Sequence, residues 1–129
     1  MENTLSTQIS GSNLAEVEDK LTTAFKEIGF GVLNTLDFQA ILQEKIQKDI
    51  GNYKLLQICN PGLAYEAIQQ QPSIGLQLPC NVLIRKEKDT FVVDVQSPKD
   101  SIPAHASEDL KQMADELNAK IQKLLDGIA

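Results

Sequence analysis

The sequence has few of the residues from which metal centres and redox sites are usually built. It contains two cysteines and a single histidine, His105. A structural zinc site needs four ligands, mostly Cys and His, so this set is too small for one. Cys59 and Cys80 are also too far apart in the sequence to form a redox Cys-x-x-Cys motif. The sequence therefore indicates no cofactor and no metal ion.

Long hydrophobic runs and excess positive charge are missing too. No apolar run approaches the roughly 20 residues of a membrane-spanning helix. The first ten residues lack the basic start and apolar stretch of a signal peptide, so we expect a cytoplasmic protein without a membrane partner. The formal net charge is −6. Nucleic-acid-binding domains usually carry a basic face, so we expect no nucleic-acid partner.

What is present is typical of a globular domain of ordinary size. The chain has 129 residues, of which 42% are hydrophobic and 23% charged. Domains cluster at about 100–150 residues, and two domains would leave each half with a small core. We therefore expect one domain over residues 1–129.

Hydrophobic periodicity predicts alternating strands and helices. A period of two, or a short β-branched run, predicts five strands, at 4–9, 30–36, 53–59, 80–86 and 91–95. Apolar residues at spacings of three and four predict four helices, at 14–28, 38–50, 63–70 and from about 107 to 125. The last helix has the strongest stripe, with Leu117 and Ile121 at its centre. The pattern favours an α+β fold, a mostly antiparallel sheet with helices on one face.

A central segment resembles a known family. It comprises Ile58-Cys59-Asn60-Pro61, then Ala64 and Ala67, then Ile74-Gly75-Leu76, then Leu78-Pro79-Cys80-Asn81-Val82. This pattern is similar to the domain-of-unknown-function 302 family. The resemblance implies a compact α+β domain of the TATA-binding-protein-like class, with a curved sheet of about five strands. It also implies a homodimer, and it carries over no catalytic residue because the family has no established activity.

The two cysteines are the first candidates for chemistry. Cys59 leaves the third predicted strand and Cys80 enters the fourth, so the thiols converge if these strands are neighbours. They would then form a thiol pair for redox or sulfur transfer, or two metal ligands. The alternative is two small buried hydrophobic residues, since free cysteine is among the most buried residue types.

The turn Asn60-Pro61-Gly62 is a second candidate, because helix N-termini bind anions. The alternative is an ordinary capped turn, in which Asn60, like Asn81, bonds nearby backbone. His105 is a candidate base or ligand, but no nucleophile motif accompanies it, and a surface position is the alternative.

The apolar loop from Ile74 to Leu78 supports the leading hypothesis on function. Loops are usually polar, so this one is expected to cover something apolar. We expect binding of a small molecule, or protein interaction through a dimer, without a recognisable catalytic motif. The candidate ligand-binding residues are Cys59, Asn60, Gly62, Leu76, Cys80 and Asn81. The alternative is a thiol-dependent sulfur-transfer or redox protein that uses Cys59 and Cys80.

Overall fold

The computed structural model describes residues 3–128. This range contains five strands and four α-helices, and two short 3₁₀ helices occupy Pro72–Gln77 and Pro98–Asp100. The strands are β1 (Thr4–Ile9), β2 (Gly31–Asp37), β3 (Tyr53–Cys59), β4 (Cys80–Glu87) and β5 (Thr90–Gln96). The helices are α1 (Leu14–Glu27), α2 (Phe38–Ile46), α3 (Pro61–Gln70) and α4 (Glu108–Ile128).

The five strands form one antiparallel sheet in the order β1-β5-β4-β3-β2. β4 and β5 form a hairpin in the interior of this sheet, and β1 and β2 form its edges. β2 carries a register shift between Val32 and Asn34, which leaves Leu33 outside the ladder and 65% exposed. The α+β class predicted from periodicity is confirmed, whereas the TATA-binding-protein-like assignment stays an expectation.

One face of the sheet carries the hydrophobic core. Alternate residues of each strand point to this face, because successive side chains of a strand lie on opposite sides. Leu56 and Ile58 of β3 are each 1% exposed, and their neighbours on β4 and β5 are equally buried. Helices α1 and α4 cover this face with the apolar stripes predicted for them, and Ile121 of α4 is fully buried. An ion pair between Glu18 of α1 and Lys54 of β3, at 2.7 Å, holds α1 over the sheet.

Helix α1 begins and ends as its sequence predicts. The side chain of Asn13 accepts a hydrogen bond from the backbone N–H of Glu16 at 2.9 Å. The Glu16 carboxylate accepts one from the backbone N–H of Ser12, so the capping box reaches one residue further back than Asn13. Gly29 ends the helix at a φ of +92°, in the left-handed region that glycine adopts without strain.

Helix α2 is shorter than predicted. The periodicity predicts a helix up to Gly51, but α2 ends at Ile46, and Gln47 has a left-handed φ of 55°. Nothing packs over its last turn, since Ile46 and Ile50 are 55% and 47% exposed. At its other end Phe38 makes an edge-to-face contact with Tyr53, with ring centroids 5.9 Å apart. Tyr53 alternates with the core residues of β3, so α2 is an exception to the expected placement of helices on one face.

The opposite face of the sheet carries a row of amide side chains that crosses four strands. Asn34 donates to Gln57 at 3.0 Å, Gln57 to Asn81 at 3.4 Å, and Asn81 to Gln96 at 3.2 Å. The register explains the row, because Asn34 and Asn81 both pair with Gln57 from opposite sides. Polar cross-strand pairs therefore stabilise this part of the face, beside the apolar contact of α2 with Tyr53.

Candidate functional site

A pocket opens at the end of the sheet where β3 stops and β4 begins. Its floor is formed by the strand ends, including Ile58, Cys59 and Cys80, and its walls by α3, the two 3₁₀ helices and the first half of α4. Its volume is about 90 Å³. Since one water needs roughly 10–15 Å³ of such volume, the space suits a small organic molecule. We call this cavity the sheet-end pocket.

Asn60 fixes the wall that α3 contributes. It follows β3 directly, and its Oδ1 accepts a hydrogen bond from the backbone N–H of Leu63 at 3.2 Å. Pro61 takes the first helical position, where its missing N–H costs nothing. The Asn60 Nδ2 also donates to the carbonyl oxygen of Ile28 at 3.5 Å. The cap of α3 is thereby tied to the end of α1.

Helix α4 forms the opposite wall and is anchored at two points. Ser107 caps it through a hydrogen bond from the backbone N–H of Leu110 at 3.1 Å, and its hydroxyl also donates to Gln70 at the end of α3. Further along, the buried Ser97 at the end of β5 donates to Asn118 Oδ1 at 2.7 Å. These bonds hold α4 against both α3 and the sheet.

The lining of the sheet-end pocket is apolar and carries no charge among the described residues. Aliphatic, aromatic, proline and sulfur-containing side chains dominate it. Its polar side chains are Asn60, Gln77, Gln96 and Ser101. Three of these already have protein partners, because Asn60 caps α3, Gln96 ends the amide row, and Ser101 donates to the carbonyl of Ser97 at 2.9 Å. The pocket therefore offers apolar contact and few polar groups.

Both cysteines border this pocket, and neither is in a disulfide. Cys80 pairs with Ile58 across β3 and β4, so its side chain lies on the core face, whereas Cys59 follows Ile58 on β3 and alternates to the opposite face. The expected convergence of the two thiols is therefore wrong, although β3 and β4 are neighbours. Burial, and to a smaller extent the negative charge of Cys59 when ionised, raises the pKa of Cys80 to about 11. The Cys80 thiol is therefore protonated at neutral pH.

Comparison with known protein families and with solved structures identifies the family of this chain. A family model described as "Domain of unknown function DUF302" matches residues 5–128. The chain belongs to the DUF302 family. The structure of an uncharacterized conserved DUF302 protein from Bacillus stearothermophilus is similar over 100% of both chains, with a TM-score of 0.89 and 23% sequence identity. That identity supports a shared fold alone, and no curated protein matches this DUF302 chain.

Three of the six predicted ligand residues line the pocket of this DUF302 domain. Cys59, Asn60 and Cys80 do so, which places both cysteines and the capped turn at the border of one pocket. The other three lie outside the sheet-end pocket. Gly62 is exposed in the first turn of α3, and Leu76 is 88% exposed. Asn81 is the third residue of the amide row on the opposite face.

The apolar loop contributes to the site through other residues than expected. Residues Pro72–Gln77 form a 3₁₀ helix, and Ile74, which is 5% exposed, packs into the pocket wall. Met113 and Leu117 of α4 were not among the predicted ligand residues, yet both line the pocket. The stripe of α4 contained the signal, but periodicity alone does not separate residues that fill the core from residues that border a cavity.

Three further findings concern the described residues of this DUF302 domain. His105 is exposed in the segment before α4 and does not line the pocket. Among residues 3–128 no helix is long and apolar enough to cross a membrane. The same residues contain no group of three His, Cys, Asp or Glu side chains that could hold a metal ion.

Proposed function

We propose that this DUF302 protein binds a small, uncharged and largely apolar molecule in the sheet-end pocket. The observation that carries the proposal is the lining, which has apolar walls, no charged side chain among the described residues and few polar groups to spare. Pockets of this kind, with a few polar groups among hydrophobic walls, are where proteins bind small molecules.

The absence of charge from the lining selects the ligand class. An ion entering the pocket would lose its hydration and find no opposite charge, which costs several kcal/mol or more. An apolar molecule gains roughly 25 cal/mol for each Å² of surface that it buries. Gln77, which lies at the exposed rim, is the side chain best placed to bond a single polar group of the ligand.

Indole is a suitable probe because the chain has no tryptophan, so indole fluorescence reports the probe alone. We expect the fluorescence to shift to the blue on binding, with a Kd of roughly 0.1–1 mM, about −4 to −5.5 kcal/mol. The indole-3-acetate anion should bind at least about tenfold more weakly because its charge is unpaired. Equal binding of the two compounds would contradict the proposed ligand class.

A pair of variants on α3 shows whether the probe occupies this pocket. Ala67 lines it, and Ala67→Phe should fill it and abolish indole binding. Glu66, its exposed neighbour, is outside it, so Glu66→Phe adds the same ring without loss of binding. Circular dichroism confirms that both variants are folded. Indole binding that survives Ala67→Phe would contradict the assignment of the site.

We also propose that the protein is a homodimer, as the family resemblance implies. Exposed apolar side chains support this, since Leu33 on edge strand β2 is 65% exposed and Leu76 beside the pocket is 88% exposed. An edge strand has unpaired backbone groups that a second copy can bond. A two-fold dimer would bury the same patch on each subunit.

Thiol-dependent sulfur or redox chemistry is the second candidate function, and the presence of both Cys59 and Cys80 in the lining of one pocket is what favours it. The raised pKa of Cys80 argues against it, because only a thiolate attacks sulfur. Ligand binding therefore ranks first.

A further inference from the structure

A second cavity adjoins the sheet-end pocket. It lies between the first 3₁₀ helix, Pro72–Gln77, and residues 100–103 at the end of the second, and its volume is about 350 Å³. We call it the 3₁₀ groove. Four side chains line both cavities, namely those of Ile74, Gln77, Ser101 and Ile102. The two spaces therefore meet, and a ligand in the sheet-end pocket can extend into the 3₁₀ groove.

The two cavities differ in chemistry. The sheet-end pocket is apolar, whereas the lining of the 3₁₀ groove includes Ser73, Gln77, Asp100 and Ser101. Within residues 3–128, Asp100 carries the only charge in that lining. We propose, on the basis of the function proposed above, that the ligand is an uncharged amphiphile. Its apolar body lies in the sheet-end pocket, and a hydroxyl group lies in the 3₁₀ groove and donates a hydrogen bond to Asp100.

The hydrogen-bonding capacity of the groove selects a donor as the polar head. The Asp100 carboxylate can only accept hydrogen bonds. The Ser101 hydroxyl already donates to the carbonyl oxygen of Ser97 at 2.9 Å, so what it has left is the capacity to accept. Two adjacent residues of the groove thus present acceptors. A hydrogen bond to an ionised acceptor is also stronger than one between two neutral groups.

The position of Asp100 also bears on the charge of the head. A carboxylate head would be repelled by the Asp100 carboxylate. An ammonium head would lose part of its hydration where the groove meets the uncharged pocket. Its ion pair with Asp100, which is exposed, would raise the affinity by only about fivefold at most. A hydroxyl group avoids both costs and keeps the hydrogen bond.

Leu76 gives the amphiphile a second apolar contact. Its side chain is 88% exposed, yet it lines the 3₁₀ groove, so it lies beside the path of the ligand. Large apolar side chains that border a cavity and face solvent are typical of binding sites. The arm that joins the apolar body to the hydroxyl group would cover part of Leu76.

The test compares tryptophol with 3-ethylindole, two indoles that have the same two-carbon arm and differ by one hydroxyl group. Their fluorescence reports the probe alone, because the chain has no tryptophan. We expect tryptophol to bind at least about threefold more tightly, since its hydroxyl group gains a hydrogen bond. If the arm lay among apolar walls instead, the hydroxyl group would be buried without a partner and tryptophol would bind more weakly.

A pair of neighbouring variants locates the hydroxyl group. Asp100→Ala should remove the preference for tryptophol and leave the Kd of indole unchanged, because Asp100 lines only the 3₁₀ groove. Unchanged indole binding also shows that this variant is folded. Lys99→Ala, in the same 3₁₀ helix, alters a side chain that lines neither cavity and should change neither Kd. Ala67→Phe should abolish binding of tryptophol as well as of indole, because both use the sheet-end pocket.

Two results overturn this proposal: equal or weaker binding of tryptophol than of 3-ethylindole, and a preference for tryptophol that survives Asp100→Ala. Tryptamine that binds more than about tenfold tighter than tryptophol would overturn the uncharged head and assign the groove to cations. Indole binding without any preference for the hydroxyl group rejects the amphiphile and keeps the proposed function. Failure of all four compounds to bind rejects the proposed function itself.

Discussion

Gly29 and Asn60 are packed so closely that a Cβ on Gly29 would lie 2.7 Å from Nδ2 of Asn60. The two residues come from the end of α1 and the cap of α3, and Asn60 also bonds the carbonyl of Ile28. One contact therefore joins the core helix to the wall of the sheet-end pocket. Two features therefore favour glycine at position 29: the left-handed φ of its backbone, and the Asn60 side chain that occupies the space a Cβ would need.

Gly29→Ala should be more destabilising than Gly51→Ala, a substitution at another glycine with a left-handed φ. The left-handed backbone costs about 1–2 kcal/mol for a residue with a Cβ. Moving Asn60 aside loses the cap of α3, a further cost of about 1 kcal/mol. The free energy of unfolding, measured with denaturant, should fall by the sum of these two costs. Gly51→Ala is the matched control, because Gly51 has a φ of +75° but nothing within 4 Å. Equal losses in the two variants would show that the contact with Asn60 has no energetic role.

Ile121 and Leu117 on α4 should respond differently to truncation. The periodicity predicts both to be buried, but Ile121 is fully buried and Leu117 is half-buried at the pocket. Ile121→Ala should cost about 2–5 kcal/mol because it leaves a cavity in the core. Leu117→Ala should cost about half as much, because it enlarges an existing pocket. Urea denaturation measures both, and a larger loss for Leu117→Ala would contradict the placement of the pocket.

The raised pKa of Cys80 predicts slow chemistry at neutral pH. With a pKa of about 11 against 9.0 for an ordinary thiol, its thiolate fraction at pH 7 is about 100-fold lower. Timed alkylation should label Cys80 about 100-fold more slowly in native protein than after unfolding. Cys59→Ser should speed the reaction modestly, since it removes the smaller of the two causes. Labelling of native Cys80 within seconds would favour the sulfur-chemistry function instead.

The same pKa makes stability depend on pH in a defined window. The native state keeps the Cys80 proton up to about pH 11, whereas the unfolded chain releases it near pH 9. The stabilisation is therefore fully present below pH 9 and is lost as the pH rises to 11, by about 2–3 kcal/mol. Unfolding free energies from pH 8 to 11 measure this. Cys80→Ser should flatten that part of the curve, and an unchanged slope would contradict the buried thiol.

The proposed dimer has two candidate surfaces, and substitution separates them. A native mass spectrum of protein purified without added ligands should show twice the mass of one chain. Leu33→Asp on β2 and Leu76→Asp beside the pocket each place a charge on an exposed apolar position. The one that lies in the interface should produce monomers, because a buried unpaired charge is costly. A monomer mass for the parent protein across dilutions would contradict the dimer.

Local chemistry made much of this fold predictable from the sequence. The cap at Asn13, the glycine at 29 and the stripe of α4 are decided by neighbours within one or two helical turns. The end of α2 was not predictable in this way. Its periodicity continues to Ile50, but no part of the sheet covers the last turn, and that depends on tertiary packing.

The candidate site was predictable only in part, because it also depends on tertiary packing. The strand order makes β3 and β4 neighbours, as convergence of Cys59 and Cys80 requires, but the register sends the two side chains to opposite faces, which chain position alone could not show. Asn81 follows Cys80 directly, yet the alternation of β4 sends it to the opposite face, where it bonds Gln57 and Gln96. Met113 enters the pocket because α4 crosses the strand ends, which depends on how the helix is docked.

The most direct test of the account is a map of the indole site by NMR chemical shifts on isotope-labelled protein. The account predicts that indole shifts the backbone amides of Ala64, Ala67 and Ala114, which line the sheet-end pocket. The amides of Ser6 and Asp94, at the hydrogen-bonded edge of the opposite face, should not move. Shifts confined to that face, or no shifts at millimolar indole, would contradict the claim that this pocket is the binding site.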